Sequence, residues 1–303
     1  MRWIVFLVLL LAGCDQSPVA DARDFVSRLF GRSDIVLPPL GPASIGEDGI
    51  AWHHASSDHN GTVTQLMIAL PDAVGPFPVV LWAPLSMNWK LGGELGQEDQ
   101  QQMYLFASVG VGVVAYSVPG GWEDNATLDQ LEAALDRFMD ADGGLTSGLV
   151  ALEFAAANIP GVDADRIWSS GDGLGGTLAL RLAQADRRVR AVVAFDPVTD
   201  MASVASSEDM SFLAHLRPGL RDFIISISPR SGLDRLQCPV LLYHDTLGHE
   251  QNFPSLSDFY LECLRRQKDV FLMDNIGIDP EYTGYSLRTS RAMQWLEGLG
   301  REQ

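Results

Sequence analysis

Beyond residue 48 the chain alternates short apolar runs with longer stretches in which apolar positions recur every three to four residues. The runs at 78–83, 111–117, 166–170, 189–195, 239–244 and 269–273 are rich in Val, Ile, Leu and Phe, as expected of strands buried on both faces of a parallel sheet. Helical periodicity fills the intervals at 99–109, 128–139, 145–158, 176–185, 255–266 and 285–299. Met293, Trp295, Leu296 and Leu299 give the last of these an apolar face suited to packing on the sheet. Two leading runs, 49–55 and 62–70, flank a turn-rich segment ending in Asn60-Gly61, a strong hairpin signal, so they are read as antiparallel. The order predicts an α/β domain: a mostly parallel twisted sheet with antiparallel leading strands and helices on both faces.

The pattern before residue 49 is different. Arg2 precedes an unbroken apolar run over 3–12, too short for the ~20 residues of a membrane-spanning helix and matched to the central region of an export signal. Leu11-Ala12-Gly13-Cys14 resembles a bacterial lipoprotein signal, in which residues 1–13 are removed and Cys14 carries the lipid. The simpler alternative is an ordinary cleaved signal with an incidental cysteine. Residues 14–48 read as a tether with a short helix near 21–31, and residues 49–303 as a single domain. The expected location is the bacterial cell envelope, facing the periplasm or the exterior, with the membrane reached through the lipid on Cys14.

Composition narrows the partners. The 303 residues suffice for one large α/β domain, and 39 acidic against 21 basic residues leave a formal net charge of -18. Nucleic acid is a poor partner for such a chain, because its binding rests on Lys and Arg neutralising phosphates. Cys238 and Cys263 fit either one disulfide in an oxidising compartment or two buried thiols. His53, His54, Asp58 and His59 contain metal-ligating side chains, but neighbours on a strand point to opposite faces, so the cluster reads as a polar hairpin tip and no metal is expected. His215 falls on a polar loop and His244 at a strand end, which leaves His249 as the histidine nearest the expected site. No cofactor is expected.

The most informative stretch is Arg166-Ile-Trp-Ser-Ser-Gly-Asp-Gly-Leu-Gly-Gly-Thr-Leu-Ala-Leu, a strand that passes through a glycine-dense corner into a helix. It resembles the Gly-x-Ser-x-Gly nucleophile elbow, in which a nucleophile sits at the apex of a sharp turn and small residues two positions either side let strand and helix approach. Gly171 and Gly175 fill the small positions, and the apex falls on Gly173, which has no side-chain oxygen.

Together with Phe77-Pro-Val-Val-Leu, Val162-Asp-Ala-Asp-Arg-Ile, Arg188-Val-Arg-Ala-Val-Val-Ala and Cys238-Pro-Val-Leu-Leu-Tyr-His, this corner makes most of the chain from about residue 76 onward resemble the prolyl oligopeptidase and dienelactone hydrolase branch of the α/β-hydrolases. The resemblance implies an α/β-hydrolase fold and a Ser-Asp-His triad, and the triad positions are degenerate. Gly173 stands at the nucleophile, Gly248 at the acid and Ile278 at the histidine, and no histidine follows His249. Asp245 and Glu250 are the alternatives for a shifted acid, and Asp279 is the other residue the histidine loop offers. Ala83-Pro-Leu-Ser replaces a His-Gly-Gly loop, and Pro84 has no N–H to offer an oxyanion, although the Leu174 amide remains.

The expectation is therefore a catalytically inactive hydrolase-like protein that binds an unknown small molecule or protein partner. An active hydrolase with Asp172 as a non-standard nucleophile and a purely structural lipoprotein are the alternatives. Ser86 and Ser117 follow strands on the ligand-binding side of such a sheet and suit ligand contacts better than catalysis. Trp89 and Trp122 sit in glycine-bearing acidic loops, as stacking surfaces for a ligand or as a lid. Asp245 and His249 complete the expected binding set.

Overall fold

The computed structural model describes residues 37–46, 48–59, 61–87, 90–245, 253–275 and 280–299. The expected signal, Cys14 and the helix near 21–31 lie outside the described residues. From Leu37 onward the described residues form one compact unit.

Nine strands among the described residues form one sheet: β1 (Ser44–Ile45), β2 (Ala51–His59), β3 (Thr62–Leu70), β4 (Phe77–Trp82), β5 (Gly112–Tyr116), β6 (Val162–Asp172), β7 (Ala191–Phe195), β8 (Val240–Asp245) and β9 (Val270–Asn275). Their spatial order is β1-β2-β3-β5-β4-β6-β7-β8-β9. The β1/β2, β2/β3 and β3/β5 pairs are antiparallel and the others parallel. His59 pairs with Thr62, so β2 runs four residues beyond the expected end at 55, through part of the segment read as turn-rich, and the Gly61 N–H is held by the Asp58 carboxylate at 2.8 Å. β2 alternates as a half-buried strand does: His53 is buried with Nδ1 2.7 Å from the Gly41 carbonyl, and His54 is exposed. β4, β5, β7 and β8 are buried along their whole length, the consequence of helices on both faces.

The helices are α1 (Gln97–Ala107), α2 (Leu128–Asp140), α3 (Leu145–Asn158), α4 (Leu174–Ala185), α5 (Ala202–Ala205), α6 (Glu208–Leu216), α7 (Leu220–Ser226), α8 (Phe253–Arg265) and α9 (Pro280–Leu299). Met103 and Phe106 of α1 with Ala292, Met293 and Leu296 of α9 bury one face of the sheet against Trp82, Trp168, Val193, Phe195 and Tyr243. α3 and α4 pack against the sheet through their own apolar positions, among them Val150, Phe154, Leu178 and Leu182. Full burial of side chains this size contributes about 1.5–3 kcal/mol each before the entropy of ordering is subtracted.

Two features depart from the sequence reading. Residues 37–48, read as the end of a tether, contribute β1, and the Pro38 carbonyl accepts a hydrogen bond from Asn158 Nδ2. The interval 202–235, in which no helix was read and His215 was placed on a loop, holds α5 to α7 and a 3-10 turn at Pro229–Arg235. His215 lies in the last turn of α6. These helices are short, and α6 starts from a local cap, with Ser207 Oγ accepting the Met210 N–H, so the pattern carries little apolar periodicity.

Cys238 and Cys263 are both free thiols, which decides between the two readings left open. Burial pushes the Cys238 thiol up to about 12 and the Cys263 thiol up to about 11, so at pH 8 neither carries appreciable thiolate. Iodoacetamide at pH 8 is expected to leave both unmodified in the native protein and to label both in urea, as read by peptide mapping. Rapid native labelling of Cys263 would show that the face of α8 that carries it is not buried.

Candidate functional site

β4 has β5 on one side and β6 on the other, so the direction in which strands are added reverses there. In open α/β sheets ligands bind beyond the carboxyl ends of the strands at such a reversal. At that end, β6 passes into α4 through a single residue, Gly173, with φ 54° and ψ -119°. Residues with a side chain pay about 1–3 kcal/mol in conformations of this kind. The Gly173 N–H bonds the Phe195 carbonyl at 2.9 Å, and Thr177 in the first turn of α4 exchanges hydrogen bonds with Val198 at 2.8 and 3.0 Å.

The corner is closed on its inner side. A Cβ on Gly171 would lie 2.4 Å from the Gly175 carbonyl carbon, and one on Gly175 would lie 3.2 Å from the Pro84 oxygen. A Cβ on Gly173 would meet nothing within 4 Å. The apex therefore points into open space, with the backbone of a nucleophile-bearing turn and no atom to attack with.

The amides that would face an apex oxyanion are few. Leu174 opens α4, and its N–H is one of those with no partner inside the helix. In the segment after β4, the Ala83 N–H bonds the Ser170 carbonyl at 3.0 Å and Pro84 has none. The Leu85 N–H is taken by Asp99 Oδ1 at 2.9 Å. Asp99 is buried and also accepts from Trp82 Nε1 at 3.0 Å and from the Gly96 N–H at 2.9 Å, so one carboxylate ties β4, the loop after it and the start of α1 together.

Asp172, the alternative nucleophile, is held by Arg288 of α9, with Nη2 2.5 Å from Oδ2. The same guanidinium lies 4.7 Å over the Phe195 ring. A carboxylate committed to a largely buried arginine is turned toward α9 and has its charge neutralised, which makes it a poor attacking group.

Three adjacent strands end in register here. Asp172 pairs with Phe195 and Phe195 with Tyr243, so Gly173, Asp196 and His244 follow one another across the strand ends, roughly 4.8 Å per step. Asp196 has a positive φ of 42° and is 1% exposed. Its Oδ1 accepts from His244 Nδ1 at 2.8 Å and from the Asp245 N–H at 2.9 Å. His244 is likewise 1% exposed, with its ring 4.9 Å from that of Phe253. His244, read as a plain strand-end residue, forms an imidazole and carboxylate pair with Asp196 beside the elbow. The strand bearing the carboxylate lies between the apex and the imidazole. A hydroxyl-activating relay needs the imidazole in the middle, so the order is wrong for proton abstraction at Gly173.

Ser86 is exposed and donates to the Glu94 carbonyl at 2.7 Å. Ser117, read as a ligand contact, instead accepts the Gln65 N–H at 2.9 Å and extends the β3/β5 pairing. Trp122 is half-buried in the loop after β5. That loop is joined to the one after β4 by the Gly93/Val118 bridge and by Lys90 on Asp124 at 2.6 Å, a contact that holds the Asp124 carboxyl below its usual range. Asp245 closes β8, buried. Trp89, Gly248, His249, Glu250, Ile278 and Asp279 lie outside the described residues.

No protein-family model and no curated protein matches the chain. Solved structures do. An acylaminoacyl peptidase of Pyrococcus horikoshii aligns at TM-score 0.64 and 17% identity over 83% of this chain and 41% of its own. An acetyl xylan esterase of Thermoanaerobacterium sp. JW/SL YS485 aligns at TM-score 0.58 and 16% identity over 87% of both chains. A 2,6-dihydroxy-pseudo-oxynicotine hydrolase aligns at 0.56 and 18%, over 80% of this chain and 66% of its own.

The chain has the α/β-hydrolase fold.

It spans less than half of the peptidase's length. In the α/β-hydrolase fold the nucleophile stands at the apex, and the oxyanion is met by the next amide together with one from the loop after the facing strand. Here those places hold Gly173, Leu174 and the Asp99-bound loop.

Asp99→Ala would orphan the buried Trp82 N–H and free the loop after β4, at a cost of about 3 kcal/mol. For a domain of this size that corresponds to a melting temperature lower by roughly 6–12 °C, with Asp99→Asn falling between. A change below about 2 °C in calorimetry would show that the Asp99 contacts do not order this loop.

Proposed function

We propose that the chain is a lipid-anchored protein of the bacterial cell envelope that uses the α/β-hydrolase fold for binding instead of hydrolysis. The observation that carries this reading is the elbow: its backbone is that of a nucleophile turn, its apex is open, and the residue there is Gly173. Loss of the nucleophile alone costs about 10⁶ in turnover, roughly 8 kcal/mol of barrier. Binding and oxyanion contacts without a triad leave on the order of 10³ over water. The Asp172–Arg288 pair weighs against rescue by a neighbouring carboxylate.

Anchoring rests on the pattern from Arg2 to Cys14, and the net charge of -18 favours a small molecule or a protein over nucleic acid as the ligand. No helix among the described residues is long and apolar enough to cross a membrane, so attachment would fall to the lipid.

Full-length protein is expected to hydrolyse neither p-nitrophenyl acetate nor chromogenic peptides above the buffer rate, and Gly173→Ser is expected to fold and remain inactive. The apex points into open space, and on the neighbouring strand ends the Asp196 carboxylate, already bonded to His244, comes before the imidazole. Turnover by the natural sequence that vanishes in Asp172→Asn would establish the hydrolase alternative. Cys14→Ala is expected to abolish labelling by a palmitate analogue and move the protein from the membrane fraction to the soluble one. Unchanged membrane association would remove the anchor.

A further inference from the structure

On the outer side of α1, away from the elbow, Gln97, Gln100, Gln101 and Tyr104 recur at the spacing that places them on one helical face. With Gln102 and with Ser286 of α9 they line an open cleft of about 450 Å³, a size within the range of small-molecule sites. The chain carries -18 net charge, yet apart from the phenol of Tyr104 these side chains cannot ionise. Among the described residues of the lining an anion would find no cationic group and a cation no carboxylate, which favours an uncharged ligand.

Each carboxamide offers one acceptor oxygen and two N–H donors, the complement of vicinal hydroxyls that both donate and accept. Gln102 is 1% exposed, and its Oε1 accepts from Thr289 Oγ1 at 3.3 Å. That bond fixes its rotamer and loses no entropy on ligand contact. Tyr104 is 42% exposed and supplies an apolar ring face with a polar tip at the cleft edge. A peptide is a poorer fit. Its recognition modes need a free sheet edge, an apolar groove, several aromatic walls or clustered arginines, and the described lining lies on two helices with Tyr104 as its aromatic residue.

We propose that this cleft binds a neutral saccharide through the glutamine carboxamides, with the sugar face stacked on Tyr104. The site is separate from the elbow and stands whether or not the elbow is catalytic.

The test is calorimetric titration of the full chain, in a detergent without a sugar headgroup, with xylotriose, maltotriose, N,N′,N″-triacetylchitotriose, trigalacturonic acid and pentaalanine. At least one neutral trisaccharide is expected to bind with a Kd of about 1 mM or tighter. Tyr104→Ala and Gln101→Ala, both at exposed positions, should weaken it by at least about fivefold with circular dichroism unchanged. Gly173→Ser should leave it unaltered, which separates this site from the elbow. Absence of binding by all three neutral sugars, tighter binding of the uronate or the peptide, or affinity indifferent to both substitutions would overturn the proposal.

Discussion

The tight crossing of β6 into α4 is the constraint on which the rest of this structure depends. With a Cβ on Gly171 only 2.4 Å from the Gly175 backbone, the helix can lie where it does only because neither residue has a side chain. That approach lets α4 lean on the end of β4, where the Pro84 and Ala83 carbonyls come within 3.2 and 3.3 Å of a Gly175 Cβ. The Thr177–Val198 exchange then fastens α4 to the segment after β7. Backbone packing of this kind specifies the corner without reference to what stands at its apex, so the turn persists when the apex is glycine.

A glycine apex relaxes the corner. The φ of 54° that would strain a serine costs glycine little. The polar groups nearby are correspondingly committed to each other. Asp172 is occupied by Arg288, the Leu85 amide by Asp99, and His244 by Asp196. They hold the ends of strands and loops in place.

Most of the sheet was legible because its strands are local and strongly patterned. Runs such as Val79-Val80-Leu81 and Val192-Val193 admit no amphipathic reading, and Asn60-Gly61 marks a turn through backbone chemistry alone. The elbow was legible because its glycines are close in sequence and Gly171 is required by the Gly175 backbone four residues on. The groups around it were not. Arg288 reaches Asp172 across 116 residues through the packing of α9, and Asp196 meets His244 across 48 through strand register, pairings that no local pattern records. Asp99 was equally hidden, because the donors at Trp82 and Leu85 come from another element and nothing marks a carboxylate in a first helical turn as more than a cap. Helices α5 to α7 escaped because four to nine residues give too few turns for periodicity to declare itself.

One helix joins the two regions of interest. Arg288 and Thr289 are consecutive on α9: the first holds Asp172 beside the apex, and the second holds Gln102 at the floor of the cleft. Ala292, Met293 and Leu296 seat the same helix on the sheet with almost no exposed surface. A helix packed in this way moves as a unit, so displacement that loosens Gln102 also draws on the Asp172 ion pair. Both contacts reach buried or largely buried partners, where an unpaired group costs more than it does in water. The position of α9 is therefore fixed from its elbow side by charge and from its cleft side by a carboxamide, and this double fixing allows an open cleft to keep a floor of defined shape without a ligand to hold it.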